Sequence, residues 1–530
     1  MFAHSVIGFG RSMKKFRSCI ENFSCKAVCI ITAIILAAFT YWAGIYTHLL
    51  NIDLVNLKVR LYEDQISHNI ICFFLVLVFF WGISKFTLTR DEIKNKKRVH
   101  MLAILAAGFA GIVSVKWAIL HPYMPDHDQL QVVADAMDFI EGNYTDLKGY
   151  LEIFPYQTSL VFLYKILLSI WDNLEIIYVF HSFWIMVIVY FSYAVAEELF
   201  ENSRVSLFSI ILAALFVPMY FYVNYAYGDL CMASCGVLGI WFFIKFSKNL
   251  QTGFAIALLI TMTISYMART NSLIVMLAMG MAFIVSGMCH KKWKSLIMAV
   301  LVLLVPLMSQ KTVINYYEHR ANVEMLKGSP AILSVAMGMQ DTYEGPGYYN
   351  AYNLTVYVNA EKDSDEAAEI GKKYILDRLD EMAHDLTYTQ NFYKVKIWQQ
   401  WNEPSFGGEV STNTFDGEIN KLVENIYYGQ GQDWLRIFRN YYMFVLYASV
   451  LVTALCKMFR KKDDERIWEN IVFIIFIGGF LFSLLWESKS RYVMPYVVML
   501  IPCGAYGLYK LQYIAEHFLE QMKNKAFKRK

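Results

Sequence analysis

The chain has 530 residues, 57% of them hydrophobic and 16% aromatic, with 18% charged and a net charge of +3. That balance excludes a disordered chain and an ordinary soluble domain, and there is no basic stripe to suggest a nucleic-acid partner. The apolar residues fall in runs of roughly 17–23, each able to cross a ~30 Å hydrocarbon core as a helix, and the alternating strands of a membrane barrel are absent.

In chain order, spans are predicted at 27–48, 68–86, 100–120, 174–197, 205–222, 228–247, 253–268, 271–288, 295–310, 435–456, 467–486 and 492–513. The first follows a basic segment with no small-residue cleavage site, so it reads as retained rather than as a signal peptide. The stretch 157–171 is short, follows Pro155 and contains Lys165. Basic clusters at 11–26, 90–98, 290–294, 457–462 and 523–530 all fall on one side only if that stretch lies flat in the interface. The reading is therefore an all-α polytopic membrane protein with about twelve transmembrane helices. Both termini are expected to be cytoplasmic and the polar loops extracytoplasmic. The expected units are an N-terminal two-span extension (1–98), a membrane core (99–310) with an outer loop at 121–173, a small outer subdomain of helical character (311–434), and C-terminal spans with a basic tail (435–530). Nine cysteines are present, none in the outer loops, so no disulfide framework is expected. Cys231 and Cys235 share a helix face and read as packing residues.

This parity gathers most charged groups of interest on the outer side. After the third span comes Asp126-His127-Asp128-Gln129. A carboxylate there suits a general base, or a helix N-cap, or both. His121 and His127 raise the option of a divalent metal with Asp126, but the spacing is irregular and no further ligand set is evident, so a metal is not favoured and any cofactor stays unknown. Lys116, near the outer end of its span, is a candidate for phosphate or a snorkelling side chain. Asp229 opens a span, where the helix dipole also favours a carboxylate. Arg269 lies between two short spans, where an arginine needs an anionic partner or reaches headgroups. Between the last two spans, Glu487, Arg491 and Tyr492 form a polar turn in which Arg491 could grip a phosphate or anchor the interface. Trp401, in Trp401-Asn-Glu-Pro-Ser-Phe406, could stack on a sugar ring or belong to an aromatic belt.

Taken in order, these residues resemble the GT-C superfamily of membrane glycosyltransferases, in the branch of protein O-mannosyltransferases and aminoarabinose transferases. The resemblance covers roughly residues 100–515. It rests on Asp128 opening a run through Ala136 to Glu141-Gly142, on Phe154-Pro-Tyr-Gln-Thr-Ser-Leu160, on Tyr225-Ala-Tyr-Gly-Asp229, on Arg269-Thr-Asn271, and on Glu487 to Tyr492. The family often has Asp-Glu where this chain has Asp128-Gln129, and Asp126 is then the compensating carboxylate. The spans before residue 90 are additional. The resemblance implies a polyprenyl-phosphate sugar donor and a hydroxyl acceptor on a cell-envelope glycan, lipid or protein, with Asp128 as base. Arg491 and Arg269 would stabilise the leaving phosphate. Two rivals stay open: a lipid-linked saccharide flippase, which places charges at the midplane and shows repeats, and an envelope polysaccharide polymerase or ligase with an arginine-rich outer loop.

Overall fold

The computed structural model describes residues 2–50, 59–460 and 466–527, with side chains described for 20–47, 61–460 and 466–525. Parts of the basic clusters at 11–26, 457–462 and 523–530 lie outside the described side chains.

The N-terminal part runs through α1 (Phe2–Ile45), an antiparallel hairpin β1 (Tyr46–Leu50) and β2 (Val59–Glu63), α2 (Ile66–Thr87) and α3 (Glu92–Leu120). The segment 121–173 contains α4 (His127–Glu141), α5 (Tyr150–Ile153) and α6 (Thr158–Ile170). The membrane core continues with α7 (Glu175–Phe200), α8 (Ser203–Ala214), α9 (Pro218–Phe221), α10 (Asp229–Asn249), α11 (Thr252–Ala268), α12 (Ser272–His290) and α13 (Trp293–Ala321). The long segment 311–434 holds α14 (Ala331–Gly338), α15 (Tyr352–Asn359), α16 (Ser364–His384), α17 (Leu386–Trp401) and α18 (Lys421–Tyr428). The chain closes with α19 (Gln430–Met458), α20 (Ile471–Leu485) and α21 (Met494–Phe527).

The all-α polytopic class holds. Among the described residues nine helices are long and apolar enough to cross a membrane, with α8 and α11 as shorter apolar helices. The difference from twelve has physical causes. The stretch 205–222 breaks at Leu215, Phe216 and Val217, leaving α8 with 12 residues, about 18 Å at 1.5 Å per residue. The expected span 253–268 lies in α11, which has only 17 residues. The apolar half of α21 is interspersed with Pro495, Pro502, Tyr496, Tyr506 and Tyr509. The first span also stops three residues early, at Ile45, where the hairpin begins.

Side-chain chemistry sets the helix ends. Asp91 accepts from the Ile93 and Lys94 amides at 3.1 Å each, starting α3. Asn202 does the same for α8 at 3.0 and 3.3 Å, and Asp363 for α16 at 2.8 and 3.1 Å. Within the bundle, 78% of the apolar window of α10 is buried against 11% of that of α2, so α10 is central and α2 faces outward. α1 packs along α19 and also touches α12 and α20, so the first half of the N-terminal extension is part of the core. Helices α14 to α16 share a small apolar centre of Leu333, Tyr357, Ala360 and Ala367. A second centre, Met339, Met382 and Phe392, joins α16 to α17.

Candidate functional site

Three chain segments meet at the end of α10 that begins with Asp229. They are the coil 222–228, the turn from α11 to α12 around Arg269, and the turn from α20 to α21 that ends in a 3₁₀ turn, Ser490–Tyr492. The close approach depends on Gly228, where a Cβ would lie 1.9 Å from the Ala268 carbonyl oxygen. Any side chain there would push the coil away from α11.

Asp229 Oδ1 lies 3.4 Å from Arg269 Nε, with side chains 2% and 11% exposed. The Arg269 guanidinium stacks on Tyr227 at 4.6 Å and on Tyr492 at 5.2 Å. The Arg491 guanidinium lies over the same two rings, at 5.7 and 5.1 Å, and over Tyr225 at 5.7 Å. Arg491 donates through Nη1 to the Tyr225 hydroxyl and through Nη2 to the Tyr492 hydroxyl at 3.4 Å. Its Nε is buried with no hydrogen-bond partner. Tyr492 donates to Glu487 Oε2 at 3.0 Å, and Lys489 lies 2.9 Å from Glu487 Oε1. Two arginines and a lysine thus share a tyrosine-lined enclosure with two carboxylates. Burial opposes the charge on Arg269, Arg491 and Lys489. Asp229 for the first, Tyr492 for the second and Glu487 for the third more than offset it, so all three are held above their usual values and stay cationic.

Asp126 and Asp128, at the start of α4, have separate fates. Asp126 precedes α4 without capping it through its side chain. It accepts from Thr414 Oγ1 at 2.9 Å, Gln129 Nε2 at 3.2 Å and Tyr123 at 3.3 Å. It ties α4 to the segment before α18. Asp128 is exposed and makes no hydrogen bond or ion pair among the described residues. Its charge acts on Lys489, Arg491, Tyr150 and Tyr227, so it lies within electrostatic reach of the cationic cluster. Between them His127 takes a φ of 45°, a left-handed conformation that histidine tolerates better than most residues.

Gln129 has a role that its sequence position did not reveal. Its Nε2 donates to Asp126 and, at 2.6 Å, to Tyr123, while Oε1 accepts from the Ala226 amide at 2.9 Å. A glutamate could not donate to Asp126, so glutamine fits a site with a carboxylate three residues earlier. Gln129 thereby joins α4 to the coil that carries Tyr225 and Tyr227. Gln157 Nε2 donates to the Tyr227 hydroxyl.

Two candidates fall elsewhere. Lys116 lies on an exposed face of α3, without an ion pair among the described residues, and is not part of the cationic cluster. Trp401 is fully buried, stacked on Phe39 at 5.2 Å, and donates to Ser483 Oγ at 2.8 Å. It packs α17 against α1 and α20, so it has no face for a sugar. Asp229, fully enclosed behind Arg269, positions that arginine rather than meeting open space. His121 packs against the rings of Trp117 at 5.1 Å and Tyr427 at 5.3 Å, away from any carboxylate cluster. Among the described residues no group of three or more His, Cys, Asp or Glu is placed to hold a metal ion.

The loop after Trp401 contains a brace for the site. Glu403 is buried and accepts from the Ser405 amide at 3.0 Å, the Gly407 amide at 2.7 Å and Ser490 Oγ at 2.8 Å. Ser490 is the residue before Arg491. Burial raises the Glu403 pKa, against the hydrogen bonds from Ser405 and Ser490. Lys396 of α17 is also buried and donates to the Gly338 carbonyl. Burial lowers its pKa to about 7, with Glu487 pulling the other way. Ser488 donates its amide to the Gly347 carbonyl at 2.7 Å. Gly347 needs to be glycine, because its φ is 75° and a Cβ would lie 2.7 Å from the Gly338 oxygen.

An all-α bundle of membrane-length helices with a buried cationic cluster at one end defines an integral membrane protein with a polar site. The chain belongs to the family described as conserved hypothetical integral membrane protein, which it matches over residues 20–508. No curated protein matches the chain.

Proposed function

We propose that the chain is a membrane glycosyltransferase that moves a sugar from a polyprenyl-phosphate donor to a hydroxyl of a cell-envelope glycan, lipid or protein on the extracytoplasmic face. The observation that carries this reading is the pairing of a carboxylate that is exposed and without a partner among the described residues, Asp128, with a cationic cluster in which Arg491 Nε and Arg269 Nε are buried donors with no hydrogen-bond partner. Asp128 takes the acceptor hydroxyl proton as the acceptor oxygen bonds to the anomeric carbon. The bond from that carbon to the phosphate oxygen breaks, its electron pair leaves on the phosphate, and the configuration inverts. Arg491 and Lys489 meet the growing phosphate charge, and because they are already fixed by tyrosines and Glu487 they need no reorganisation. Arg269, held by Asp229, keeps the shared tyrosine rings in place.

The cluster lies at the Asp229 end of α10, while Lys245 and Lys248 at the other end pair with Glu198 at 2.9 and 3.0 Å. A surface location of this kind favours an enzyme over a flippase, whose charges lie near the midplane. The direct test is sugar transfer by the purified protein from a short-chain polyprenyl-phosphate sugar, with loss of one sugar from envelope glycans in a deletion strain. A deletion strain with unchanged glycans, glycolipids and glycoproteins would overturn the reading.

A further inference from the structure

At the opposite end of the bundle a second polar cleft opens between α2, the start of α3, the start of α8 and the distal part of α21. It encloses about 600 Å³ and is lined by Lys85, Arg90, Arg204, Tyr509, Tyr513 and Glu516, among others. That size lies in the range of small-ligand pockets, roughly 300–1,000 Å³. None of its residues contributes to the cluster around Arg491.

The charges in this cleft are unbalanced toward the positive. Glu516 receives both Arg204 at 3.1 Å and Lys85 at 3.2 Å, so one carboxylate serves two cations. Trp81 Nε1 also donates to it, at 2.9 Å. The other acid, Glu92, is spent on the start of α8, accepting from Ser203 Oγ at 2.6 Å and from its amide at 3.2 Å. Arg90 has no ion pair among the described residues and is exposed at the cleft rim. Lys510 adds a further cation beside the tyrosine wall, 5.8 Å from the Tyr509 ring and 5.5 Å from that of Tyr513.

The surroundings say what such a cleft meets. It opens beside α2, whose outward side chains Ile71, Phe74, Leu75 and Val78 are exposed and apolar, as on a helix that faces lipid. Lys85 is two residues from the end of that helix and Arg204 is the second residue of α8. The cationic groups therefore lie at headgroup depth, directly beyond the acyl-chain zone. Basic clefts between helices at this level suit anionic headgroups.

We propose that this cleft is a binding site for the phosphate headgroup of an anionic membrane phospholipid. Arg90 and the cation surplus around Glu516 take the phosphate, Tyr509 and Tyr513 supply hydroxyls, and the acyl chains run along α2. Glu516 keeps Lys85 and Arg204 in place when the lipid is absent.

The test uses the purified full-length protein in neutral detergent, with thermal unfolding and native mass spectrometry as readouts. Phosphatidylglycerol is expected to raise the melting temperature more than an equal amount of phosphatidylcholine, and one lipid should stay bound. Arg90→Gln should weaken phosphatidylglycerol binding by about fivefold, the effect of one headgroup-facing cation, with an unchanged melting temperature in detergent alone. Arg90→Glu should abolish the difference between the two lipids. Lys394→Gln, on an exposed position of α17 in the outer subdomain, should leave it intact. Equal stabilisation by phosphatidylcholine would overturn the proposal. So would full stabilisation by inorganic phosphate, which would make the site one for a free anion, or Arg90 variants that bind phosphatidylglycerol normally.

Discussion

Arg491→Lys separates phosphate recognition from simple anchoring. The change keeps a positive charge at a position enclosed by Tyr225, Tyr227 and Tyr492, whose rings lie 5.1–5.7 Å from the guanidinium. The lysine loses the planar fork that reaches the Tyr225 and Tyr492 hydroxyls, and it loses the Nε donor that has no partner. A hydrogen bond to a charged group contributes roughly 1.5–3 kcal/mol. If the Nε bond to phosphate forms fully only as charge develops, its loss slows turnover by about 10- to 150-fold, at 1.36 kcal/mol per factor of ten. Donor affinity should fall far less, since the ammonium still attracts the ground-state phosphate. Stopped-time transfer assays with a short-chain polyprenyl-phosphate sugar, paired with donor binding by calorimetry, give both numbers. Unchanged turnover in Arg491→Lys would refute the reasoning and leave Arg491 as an anchor for the tyrosines.

Asp229→Asn leaves Arg269 charged and enclosed, and should cost about 3–5 kcal/mol of stability, read as a large drop in melting temperature, while Asp229→Asn with Arg269→Gln recovers part of it. Glu403→Gln removes one acceptor from Ser490 and should lower turnover about tenfold through a displaced Arg491, with donor affinity little changed; an unaltered turnover would confine Glu403 to folding of its own loop. Lys396 has its pKa lowered to about 7, whereas in the unfolded chain it titrates near 10.4. Between those values the native state binds fewer protons than the unfolded one, so stability should rise with pH above about 7 and Lys396→Met should flatten that rise. A cysteine at Asp380, exposed on α16, is expected to react with an impermeant maleimide from outside intact cells, and one at Lys291 is not; the reverse pattern would put the site in the cytoplasm.

Much of the helical frame was legible because runs of apolar residues and capping aspartates are local signals. The landmarks Asp229, Arg269, Glu487, Arg491 and Tyr492 could also be found, since charges at the ends of apolar helices stand out wherever they meet in space. What could not be read was long-range pairing. Nothing near Asp126 signals Thr414, nearly three hundred residues later, yet that hydroxyl helps decide which aspartate is left open. Trp401 looked like a sugar platform because its neighbours are polar, but Glu403, Ser405 and Asn402 are turned to backbone and buried partners while the indole packs on Phe39 of α1. The break of 205–222 carries a weak local mark in Pro218. The hairpin Tyr46–Leu50 with Val59–Glu63 follows an apolar run without punctuation, so the end of α1 was misplaced.

The central claim is that Asp128 acts as the base in sugar transfer facing Arg491. Transfer by Asp128→Asn, measured beside Asp126→Asn in the same purified preparation, tests it most directly. The amide at 128 is isosteric and breaks no hydrogen bond of the described structure, so folding and donor binding should be retained while turnover falls by about 10²–10⁴. Asp126→Asn should chiefly lower stability, because Thr414, Gln129 and Tyr123 lose a charged acceptor, with a smaller loss of turnover. Full transfer by Asp128→Asn, with or without loss in Asp126→Asn, would contradict the assignment.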